Sequence, residues 1–249
     1  MSGYFEYYKI IRRVKINIVS ACLSKAYSLM LNRTIELANQ FASNYDNYIH
    51  NCHWVGTDIM FGLMYNAIQS NQTLLDIGIG TGLSSLLFHK AGLYIYGIDG
   101  SEEMLKICAN KGIAVELKQA DLTKNETWFK NQKFNHVISH GLFHLIGDIK
   151  GIFKQISTIL TNNGLFGFTY EPLSRLDDGY SELPISGIYE RRNKESDISV
   201  YRHTYEYISS LLLENKLYPI KEVEFIAFID EATNTKTLFK LIVSQKQLE

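Results

Sequence analysis

Short apolar runs alternate with helix-like stripes through the middle of the chain. The runs that predict β-strands are residues 73–77, 93–98, 113–118, 134–139 and 165–170. Between them, apolar residues recur at helical spacing, which predicts amphipathic helices such as those over residues 83–91 and 149–160. Strand–helix alternation of this kind predicts an α/β fold, a doubly wound and mostly parallel sheet with helices on both faces.

The end of the chain departs from this alternation. Two strand-like runs, residues 222–229 and 238–245, are joined by the short segment DEATNTKT. Because that segment has no room for a crossover helix, the two runs should pair as an antiparallel hairpin. Added to the earlier runs, the hairpin predicts a Rossmann-like sheet of seven strands in which the last strand is antiparallel.

The region before the sheet is predicted to be helical. Apolar residues fall at helical spacing within residues 35–45, and residues 55–69 predict a further helix. The polar, aromatic stretch SNYDNYIHNCHW between them, residues 43–54, predicts a loop. We set residues 1–33 apart as a basic helical N-terminal segment, ahead of a main domain over residues 34–249.

Residues from about 172 to 200 fit neither the strand nor the helix pattern. They contain Pro172, Gly179, Pro184 and Gly187 among charged residues, and they follow the fifth predicted strand directly. This composition and position predict a lid-like insert.

The first part of the chain is strongly basic. No acidic residue occurs between Tyr7 and Arg33, and Ile11, Val14 and Ile18 fall at helical spacing. Two interpretations fit, an amphipathic targeting or membrane-surface helix, or an ordinary helix packed on the domain with a solvated basic face. We favour the second. The apolar centre is too short for a signal peptide, and no stretch approaches the roughly 20 apolar residues of a transmembrane segment.

The overall composition narrows the classes of function. The chain has 249 residues and a formal net charge of −1, enough length for a sizeable core but no basic footprint for nucleic acid. Cys22, Cys52 and Cys108 are scattered and form no C-x-x-C pair, so we predict no disulfide framework and no metal site. They favour a reducing compartment, and we expect a cytoplasmic protein of undetermined oligomeric state.

The run LLDIGIGTG, from Leu74 to Gly82, contains the end of the first predicted strand and the turn after it. Its glycines let the backbone turn tightly and let a ligand approach, and the helix beyond offers free N–H groups. A nicotinamide-binding loop needs a small residue where Leu83 stands, and the lysine of a phosphate-binding P-loop is missing. With Asp76 just ahead of it, the loop suits a ligand with a cationic or zwitterionic part.

The pattern D-x-G-x-G-x-G in this run resembles the first motif of class I S-adenosylmethionine-dependent methyltransferases. The next strand ends in YGIDGSEEML, where Asp99 stands close to the ~20-residue offset at which a carboxylate meets ribose hydroxyls in related folds. The runs KQADL, FNHVISHGLFHLI and LTNNGLFGFTYEP resemble later motifs of that family, in order. Asn135 stands where the family usually has Asp, at a position that is generally structural. The resemblance covers about residues 73–172 and, loosely, the closing hairpin, while residues 1–60 and the insert match nothing in the family.

What the resemblance implies is methyl transfer from the cofactor S-adenosyl-L-methionine by in-line displacement. Asp99 would accept from both ribose hydroxyls, and Asp121 would meet the adenine amino group. The other strand-tip and loop residues expected at the cofactor are Asp76, Gly78, Gly80, Thr81, Gly82, Gly100, Met104, Leu122 and Ser139. For Met104, core packing is an equal alternative.

Four residues near the expected methyl group are candidates for chemistry. His140 and His144 follow the fourth strand and could serve as an acceptor-side base or as substrate ligands, with ordinary packed histidines as the alternative. Tyr45 and Trp54 would close over the sulfonium, because aromatic faces attract cations, or would serve as core anchors. The insert region also contains basic residues that could bind an acidic substrate or lie on a solvated lid surface, and we favour the solvated surface. They are Arg191, Arg192, Arg202 and His203.

The favoured function is a methyltransferase acting on a small-molecule acceptor, because helices before the sheet and an insert after it could enclose a compact substrate. A methyltransferase acting on RNA or protein is one alternative. A non-catalytic module that binds S-adenosylmethionine is another, although a retired pocket has no physical need for the intact glycine and aspartate motif. The acceptor, and whether its nucleophile is oxygen, nitrogen, carbon or sulfur, stays open.

Overall fold

The computed structural model describes residues 23–124, 127–174, 179–193, 197–230 and 235–247. The α-helices are α1 (Leu23–Asn51), α2 (Gly56–Met64), α3 (Leu86–Lys90), α4 (Glu102–Asn110), α5 (Lys150–Ile159) and α6 (Tyr205–Glu214). The strands are β1 (Thr73–Ile77), β2 (Tyr94–Asp99), β3 (Ala114–Gln119), β4 (Phe134–Ser139), β5 (Leu160–Tyr170), β6 (Ser181–Glu182), β7 (Ile188–Asn193), β8 (Ile198–His203), β9 (Leu217–Asp230) and β10 (Thr235–Lys246). Most of the predicted basic segment 1–33 lies outside the described residues, and its boundary at residue 33 falls inside α1.

The larger of two sheets has the strand order β3-β2-β1-β4-β5-β10-β9. Strands β1 to β5 pair in parallel, and β10 pairs antiparallel with both β5 and β9. The doubly wound sheet and its antiparallel closing hairpin, predicted from the sequence, are therefore confirmed. The strand order reverses between β1 and β4, and ligands of open α/β sheets bind beside such a reversal.

The sheet separates two hydrophobic cores, because successive side chains of a strand point to opposite faces. In β1, Leu75 and Ile77 belong to one core and Leu74 to the other. Val137 and Ile138 of β4 divide in the same way. All of these side chains are fully buried, so the loops at the carboxyl ends of β1 and β4 start from fixed positions.

Helix α1 is longer than the sequence pattern predicts. The loop predicted over residues 43–54 is wrong for most of its length, because the helix continues to Asn51. Phe41 keeps an aromatic face through this part, with ring-centroid distances of 6.3 Å to Tyr45 and 5.4 Å to Tyr48. Packing of that face outweighs the weak helix propensity of the serine and asparagines around it. Within the described chain, neither α1 nor any other helix has the length and apolar character that crossing a membrane requires.

Asn135, the departure from the family pattern, ties β4 to the start of β1. Its Oδ1 accepts from the N–H of Thr73 at 2.9 Å and from the Thr73 hydroxyl at 3.0 Å. The backbone N–H of Asn135 donates to the hydroxyl oxygen of Thr73 at 3.1 Å. These contacts are structural, as expected for that position, and they need no charge.

The insert forms the second, three-stranded antiparallel sheet β6-β7-β8. It packs against the turn after β4, where Nε2 of His203 lies 2.8 Å from the carbonyl oxygen of Gly147. Just beyond it, the hydroxyl of Tyr207 donates to Asp148 at 3.0 Å. The insert is thereby held beside the carboxyl ends of β4 and β5.

Candidate active site

A cavity of about 200 Å³ lies at the carboxyl ends of the parallel strands. Its lining includes a residue that follows or ends each of β1 to β5, namely Gly78, Asp99, Ala120, His140 and Glu171. Further walls come from α1, from the segment between α1 and α2, and from the hairpin β9–β10. The cavity therefore stands where doubly wound folds bind their ligands.

The two ends of this cavity differ in chemistry. The loop end is formed by the turns after β1, β2 and β3 and includes Gly78, Gly80, Asp99, Gly100, Met104 and Leu122. The aromatic end lies over β4, β5 and the closing hairpin and includes Trp54, His140, His144, Glu171, Phe228 and Phe239. Tyr45, predicted from the sequence to close over the sulfonium, also lines the cavity.

Hydrogen bonds to β2 fix the backbone of the glycine loop. The N–H groups of Gly78 and Ile79 both donate to the carbonyl of Ile98, at 2.8 Å and 3.0 Å. Gly78 and Gly80 have φ angles of 76° and 53°, a region that side chains disfavour. A Cβ on Gly78 would lie 2.9 Å from the side chain of Leu142, whereas a Cβ on Gly80 would have no atom within 4 Å. Gly80 thus borders open cavity space that a side chain would fill.

Asp99, at the end of β2, is bound to the same loop. Its Oδ2 accepts from the N–H of Gly80 and its Oδ1 from the N–H of Ser101, both at 2.8 Å. Burial raises the pKa of Asp99, and the N–H groups of Ser101, Gly80 and Gly100 oppose that shift. A carboxylate oxygen accepts more than one hydrogen bond, so Asp99 still has acceptor capacity for the hydroxyls of a ligand.

Asp76, the first residue of the motif, lies behind the loop and does not line the cavity. It is fully buried, and its Oδ2 accepts from the hydroxyl of Ser85 at 2.8 Å. Oδ1 has no hydrogen-bond partner among the described residues. Burial raises the pKa of Asp76 to about 7, the Ser85 hydrogen bond lowers it, and the charge of Asp99 adds to the rise. The structure therefore gives Asp76 a supporting position beneath the ligand loop.

Thr81, Gly82 and Ser139 also support the loop end without lining it. The hydroxyl of Thr81 is bound to α1, and that of Ser139 donates to the carbonyl of Ile77 at 3.0 Å. A Cβ on Gly82 would lie 2.8 Å from Sγ of Cys108, so this glycine allows the loop to pack on α4. The structure does not bring these three predicted residues to the cavity surface. The regular helix α3 begins only at residue 86, later than predicted, because turns follow the glycine loop.

Asp121 follows β3, but its carboxylate turns back to its own loop. Oδ1 accepts from the N–H and the hydroxyl of Thr123 at 3.0 Å and 2.7 Å, and Oδ2 lies 3.4 Å from Nζ of Lys124. Ala120 and Leu122 line the cavity, whereas Asp121 between them does not. Contact with an adenine amino group therefore stays a prediction for Asp121.

Helix α1 covers the loop end. Asn39 accepts from the hydroxyl of Ser101 at 2.6 Å, and Asp46 accepts from the hydroxyl of Thr81 at 2.6 Å. Tyr45 of the same helix faces the cavity. The hydrophobic pattern predicts a helix here but does not pair it with the glycine loop, so these polar anchors are visible only in the folded chain.

Trp54 is the centre of the aromatic end. Its ring centroid lies 5.0 Å from that of Phe228, 5.4 Å from that of Phe239 and 5.2 Å from that of His140. Tilted and edge-to-face arrangements at these distances are the favourable ones for aromatic pairs. The rings come from the segment after α1, from the turn after β4 and from the closing hairpin.

His140 and His144 are neutral near neutral pH. Burial lowers the pKa of His140 to about 4, and a backbone interaction with Gly56 opposes the shift. Burial lowers the pKa of His144 to about 3, and the positive charge of Arg202 adds to the fall. Nε2 of His140 and Nδ1 of His144 have no hydrogen-bond partner among the described residues. A neutral imidazole both donates and accepts, so these rings suit a ligand with a polar hydrogen.

A buried ion pair completes the aromatic end. Glu171, which follows β5, pairs with Arg202 of β8, and the two side chains are 7% and 10% exposed. Arg202 also lies over the ring of Tyr180, 5.2 Å from its centroid. The solvated lid surface predicted for Arg202 and His203 is wrong, because both are buried against the main domain. Arg192, by contrast, pairs with Asp197, and the two side chains are 37% and 60% exposed.

The sequence does not single out Glu171, Phe228 and Phe239, which all line the cavity. For Glu171 a signal exists, since it directly follows a predicted strand and sites collect at strand ends. For the two phenylalanines there is none, because aromatic residues in a closing hairpin are indistinguishable from core residues before the chain is folded.

Residues 75–168 match the model of a family described as a methyltransferase domain. The chain is 24% identical over 136 residues to a demethylmenaquinone methyltransferase of Tropheryma whipplei (strain Twist), over 52% of this chain and 55% of the relative. The chain thus spans about half the length of the curated relatives it matches.

Solved structures share the fold. A SAM-dependent methyltransferase of Methanosarcina mazei superposes with a TM-score of 0.62 at 19% identity, covering 75% of this chain and 98% of that one. A 1,6-didemethyltoxoflavin-N1-methyltransferase of Burkholderia thailandensis, solved with 1,6-didemethyltoxoflavin and S-adenosylhomocysteine bound, superposes with a TM-score of 0.63 at 12% identity over 94% of both chains. The matched residues 75–168 contain the glycine loop and Asp99, so this part of the chain is similar to a methyltransferase domain, and the resemblance to class I S-adenosylmethionine-dependent methyltransferases predicted from the sequence is confirmed.

Proposed function

We propose that this protein transfers the methyl group of S-adenosylmethionine to a small-molecule acceptor. The observation that carries the proposal is that one cavity joins the loop end to the aromatic end. The loop end fits the cofactor, because Gly80 leaves open space and Asp99 presents a fixed carboxylate beside it. The aromatic end is then the part of the same cavity that is left for the acceptor.

The residues of the loop end hold the cofactor in this proposal. Asp99 accepts from the ribose hydroxyls, and Met104 and Leu122 supply apolar wall. When bound, S-adenosylmethionine supplies a methyl group already activated by its positively charged sulfur. Tyr45 and Trp54 line the cavity and offer aromatic faces to that charge. The surrounding side chains align the two reactants and exclude water, so that positioning provides most of the rate.

His140 and His144 orient the acceptor in this proposal and do not act as strong bases. Their pKa values of about 4 and about 3 keep both imidazoles neutral and make them weak proton acceptors near neutral pH. A neutral imidazole nitrogen still accepts a hydrogen bond from an O–H or N–H group of the methyl acceptor. That bond directs the lone pair of the acceptor's oxygen or nitrogen toward the methyl group. The catalytic contribution expected of these residues is therefore the direction of the nucleophile.

Two relatives support an acceptor of small size. The Burkholderia thailandensis structure contains 1,6-didemethyltoxoflavin, and the Tropheryma whipplei relative is named for demethylmenaquinone. Transfer to RNA or protein, and cofactor binding without transfer, are the alternatives, and the labelling experiment distinguishes them from the proposal. We also place the protein in the cytoplasm, which the free thiols of Cys52 and Cys108 support.

The test is transfer of radiolabel from methyl-labelled S-adenosylmethionine into a cell extract. We expect S-adenosylhomocysteine to form and the label to enter the fraction that passes a small-pore size filter. The Asp99→Ala variant, which lacks the ribose-binding carboxylate, is the control and should transfer little label. Label found only in RNA or protein contradicts the small-molecule acceptor. Cofactor binding without any S-adenosylhomocysteine contradicts transfer itself.

A further inference from the structure

The rings of the aromatic end form one wall of the cavity, and their planes are inclined to one another at different angles. The planes of Trp54 and Phe228 meet at 31°, those of Trp54 and Phe239 at 90°, and those of His144 and Phe239 at 74°. The centroid distances in these pairs lie between 5.0 Å and 5.4 Å. A planar aromatic ligand placed against such a wall gains face and edge contacts together, whereas a saturated ligand of the same size gains only buried area.

Two polar atoms in this wall lack partners. Nδ1 of His144 is buried without a hydrogen-bond partner among the described residues, and Nε2 of His140, which is 8% exposed and lies against the backbone of Gly56, makes no well-formed hydrogen bond to them. A buried polar atom without a partner costs free energy that a suitable ligand group can restore. Because both imidazoles are neutral, the fitting ligand group is a polar hydrogen or a lone pair and not a full charge.

The charges at the aromatic end are already balanced. Among the described residues that line this end of the cavity, Glu171 is the charged side chain, and it is paired with the buried Arg202. A cationic acceptor would be desolvated there beside the sulfonium of the cofactor, and an anionic acceptor would meet no free positive side chain among the described residues, so either charge carries a cost in free energy. An uncharged acceptor avoids that cost.

We infer that the methyl acceptor is an uncharged, planar aromatic molecule that carries a ring O–H or ring N–H. It lies against Trp54, Phe228 and Phe239, with its polar hydrogen directed to His140 or His144. This inference rests on the proposed small-molecule acceptor and narrows it to a chemical class. Transfer forms a bond between the acceptor oxygen or nitrogen and the methyl carbon, breaks the methyl–sulfur bond with both electrons leaving on sulfur, and releases the ring proton, which passes to solvent when the site opens.

Binding of matched probes to protein saturated with S-adenosylhomocysteine tests this class without requiring turnover. The probes are 2-naphthol, its saturated counterpart decahydro-2-naphthol, and 2-methoxynaphthalene, which keeps the rings but has no O–H. We expect calorimetry to show 2-naphthol binding about tenfold or more tightly than decahydro-2-naphthol, because only the former makes ring contacts. 2-Methoxynaphthalene should bind roughly threefold or more weakly than 2-naphthol, because it lacks the hydrogen that pairs with imidazole.

Variants of the wall locate the binding. Trp54→Leu and Phe228→Leu should each weaken 2-naphthol binding by about tenfold, since each removes an aromatic face. Affinity for S-adenosylhomocysteine should stay within about twofold, because that ligand is uncharged at sulfur and does not depend on a cation–aromatic contact. Tyr65→Leu is the matched control, because Tyr65 is 59% exposed and does not line the cavity. It should change neither affinity.

The outcomes separate the two proposals. Three results overturn the aromatic class while S-adenosylhomocysteine still binds. They are no binding of 2-naphthol, equal affinity for 2-naphthol and decahydro-2-naphthol, and an affinity for 2-naphthol that is unchanged in both Trp54→Leu and Phe228→Leu. In the labelling experiment, a methylated small molecule without an aromatic ring overturns the class alone. Label confined to RNA or protein overturns the small-molecule acceptor and this inference with it.

Discussion

The loop end and the aromatic end belong to one cavity but are constructed differently. The loop end is formed by the glycine loop and the end of the neighbouring strand β2. It consists of backbone N–H groups, glycines with positive φ and the carboxylate of Asp99, which hydrogen bonds join to one another. At the aromatic end, rings from residues 54, 140, 144, 228 and 239 meet through side chains alone. The first depends on backbone geometry, and the second on how distant segments pack.

This difference predicts which ligand each substitution affects. A change at the loop end should weaken cofactor binding, because the backbone there has no alternative arrangement of hydrogen bonds. A change at the aromatic end should weaken acceptor binding and leave the affinity for S-adenosylhomocysteine unchanged, because that ligand lacks the sulfonium charge and side-chain packing adapts locally. The two ends bind their ligands independently if single substitutions change the affinity for the cofactor or for the acceptor but not both.

Asp99→Ala should have the largest effect. It removes the acceptor of two ribose hydroxyls, and hydrogen bonds to a charged group contribute about 1.5–3 kcal/mol each. We therefore expect the Kd for S-adenosylmethionine, measured by calorimetry, to rise by more than about 100-fold. Asp99→Asn, which keeps the shape and loses the charge, should fall between the alanine variant and the wild type. A rise below about threefold in a variant with unchanged circular dichroism would remove Asp99 from the cofactor site.

Gly80→Ala should come next. Gly80 has a φ of 53°, and an added Cβ would enter open cavity space without meeting any atom within 4 Å. The left-handed conformation costs an L-residue about 1–2 kcal/mol, and the methyl group also occupies the cofactor's space. We expect roughly tenfold weaker binding of S-adenosylmethionine. Gly62→Ala is the matched control, because Gly62 also has no neighbour within 4 Å but lies in α2 away from the cavity. It should leave cofactor affinity unchanged and slightly raise the thermal midpoint.

Gly56→Ala should affect the aromatic end only. A Cβ at this position would lie 2.6 Å from Nε2 of His140 and 3.0 Å from the ring of Trp54, so both must shift. We expect about fivefold weaker 2-naphthol binding and S-adenosylhomocysteine affinity within about twofold of the wild type. Equal weakening of both ligands would show that the two ends are not independent.

Asp76→Asn should have the smallest effect on binding, because Asp76 does not line the cavity. The substitution should instead change the stability of the fold. The sign of that change follows from the pKa of Asp76, which is raised from 3.8 to about 7. Below about pH 4 Asp76 is protonated in both the folded and unfolded states. As pH rises to about 7, the unfolded state loses this proton while the folded state keeps it, so the wild type loses stability. The amide that replaces the carboxyl group in the variant does not titrate.

Urea unfolding at a series of pH values measures this difference. The free energy of unfolding of Asp76→Asn minus that of the wild type should rise between about pH 4 and about pH 7 and level off above that range. A difference that does not change with pH would mean that the carboxyl group is not strongly desolvated.

The loop end was largely predictable, because its residues are close in sequence. Gly78, Gly80 and Asp99 stand at fixed offsets from β1, and a doubly wound sheet places such offsets at one edge. Asp121, whose contact with the cofactor stays a prediction, shows the limit of this reasoning. Sequence position fixes where a backbone atom lies at a strand end, but Thr123 and Lys124 decide where the carboxylate points.

The aromatic end was only half predictable. His140, His144 and Trp54 are identified by their positions next to predicted elements, whereas Phe228 and Phe239 reach the cavity only because the hairpin pairs with β5 in the same sheet. The error over residues 43–54 has the same origin. A polar stretch with poor helix formers stays helical in contact with the glycine loop, where Asp46 accepts from the hydroxyl of Thr81, and the local sequence does not contain that contact.

The thiol of Cys108 beneath Gly82 gives the glycine loop a natural chemical reporter. Sγ is fully shielded from solvent, and burial raises its pKa to about 12, so an alkylating reagent reaches a reactive thiolate only when the loop lifts from α4. The rate of Cys108 alkylation therefore measures how often the loop opens. A ligand that closes on the loop should slow that rate, and one held only by the distant rings should not.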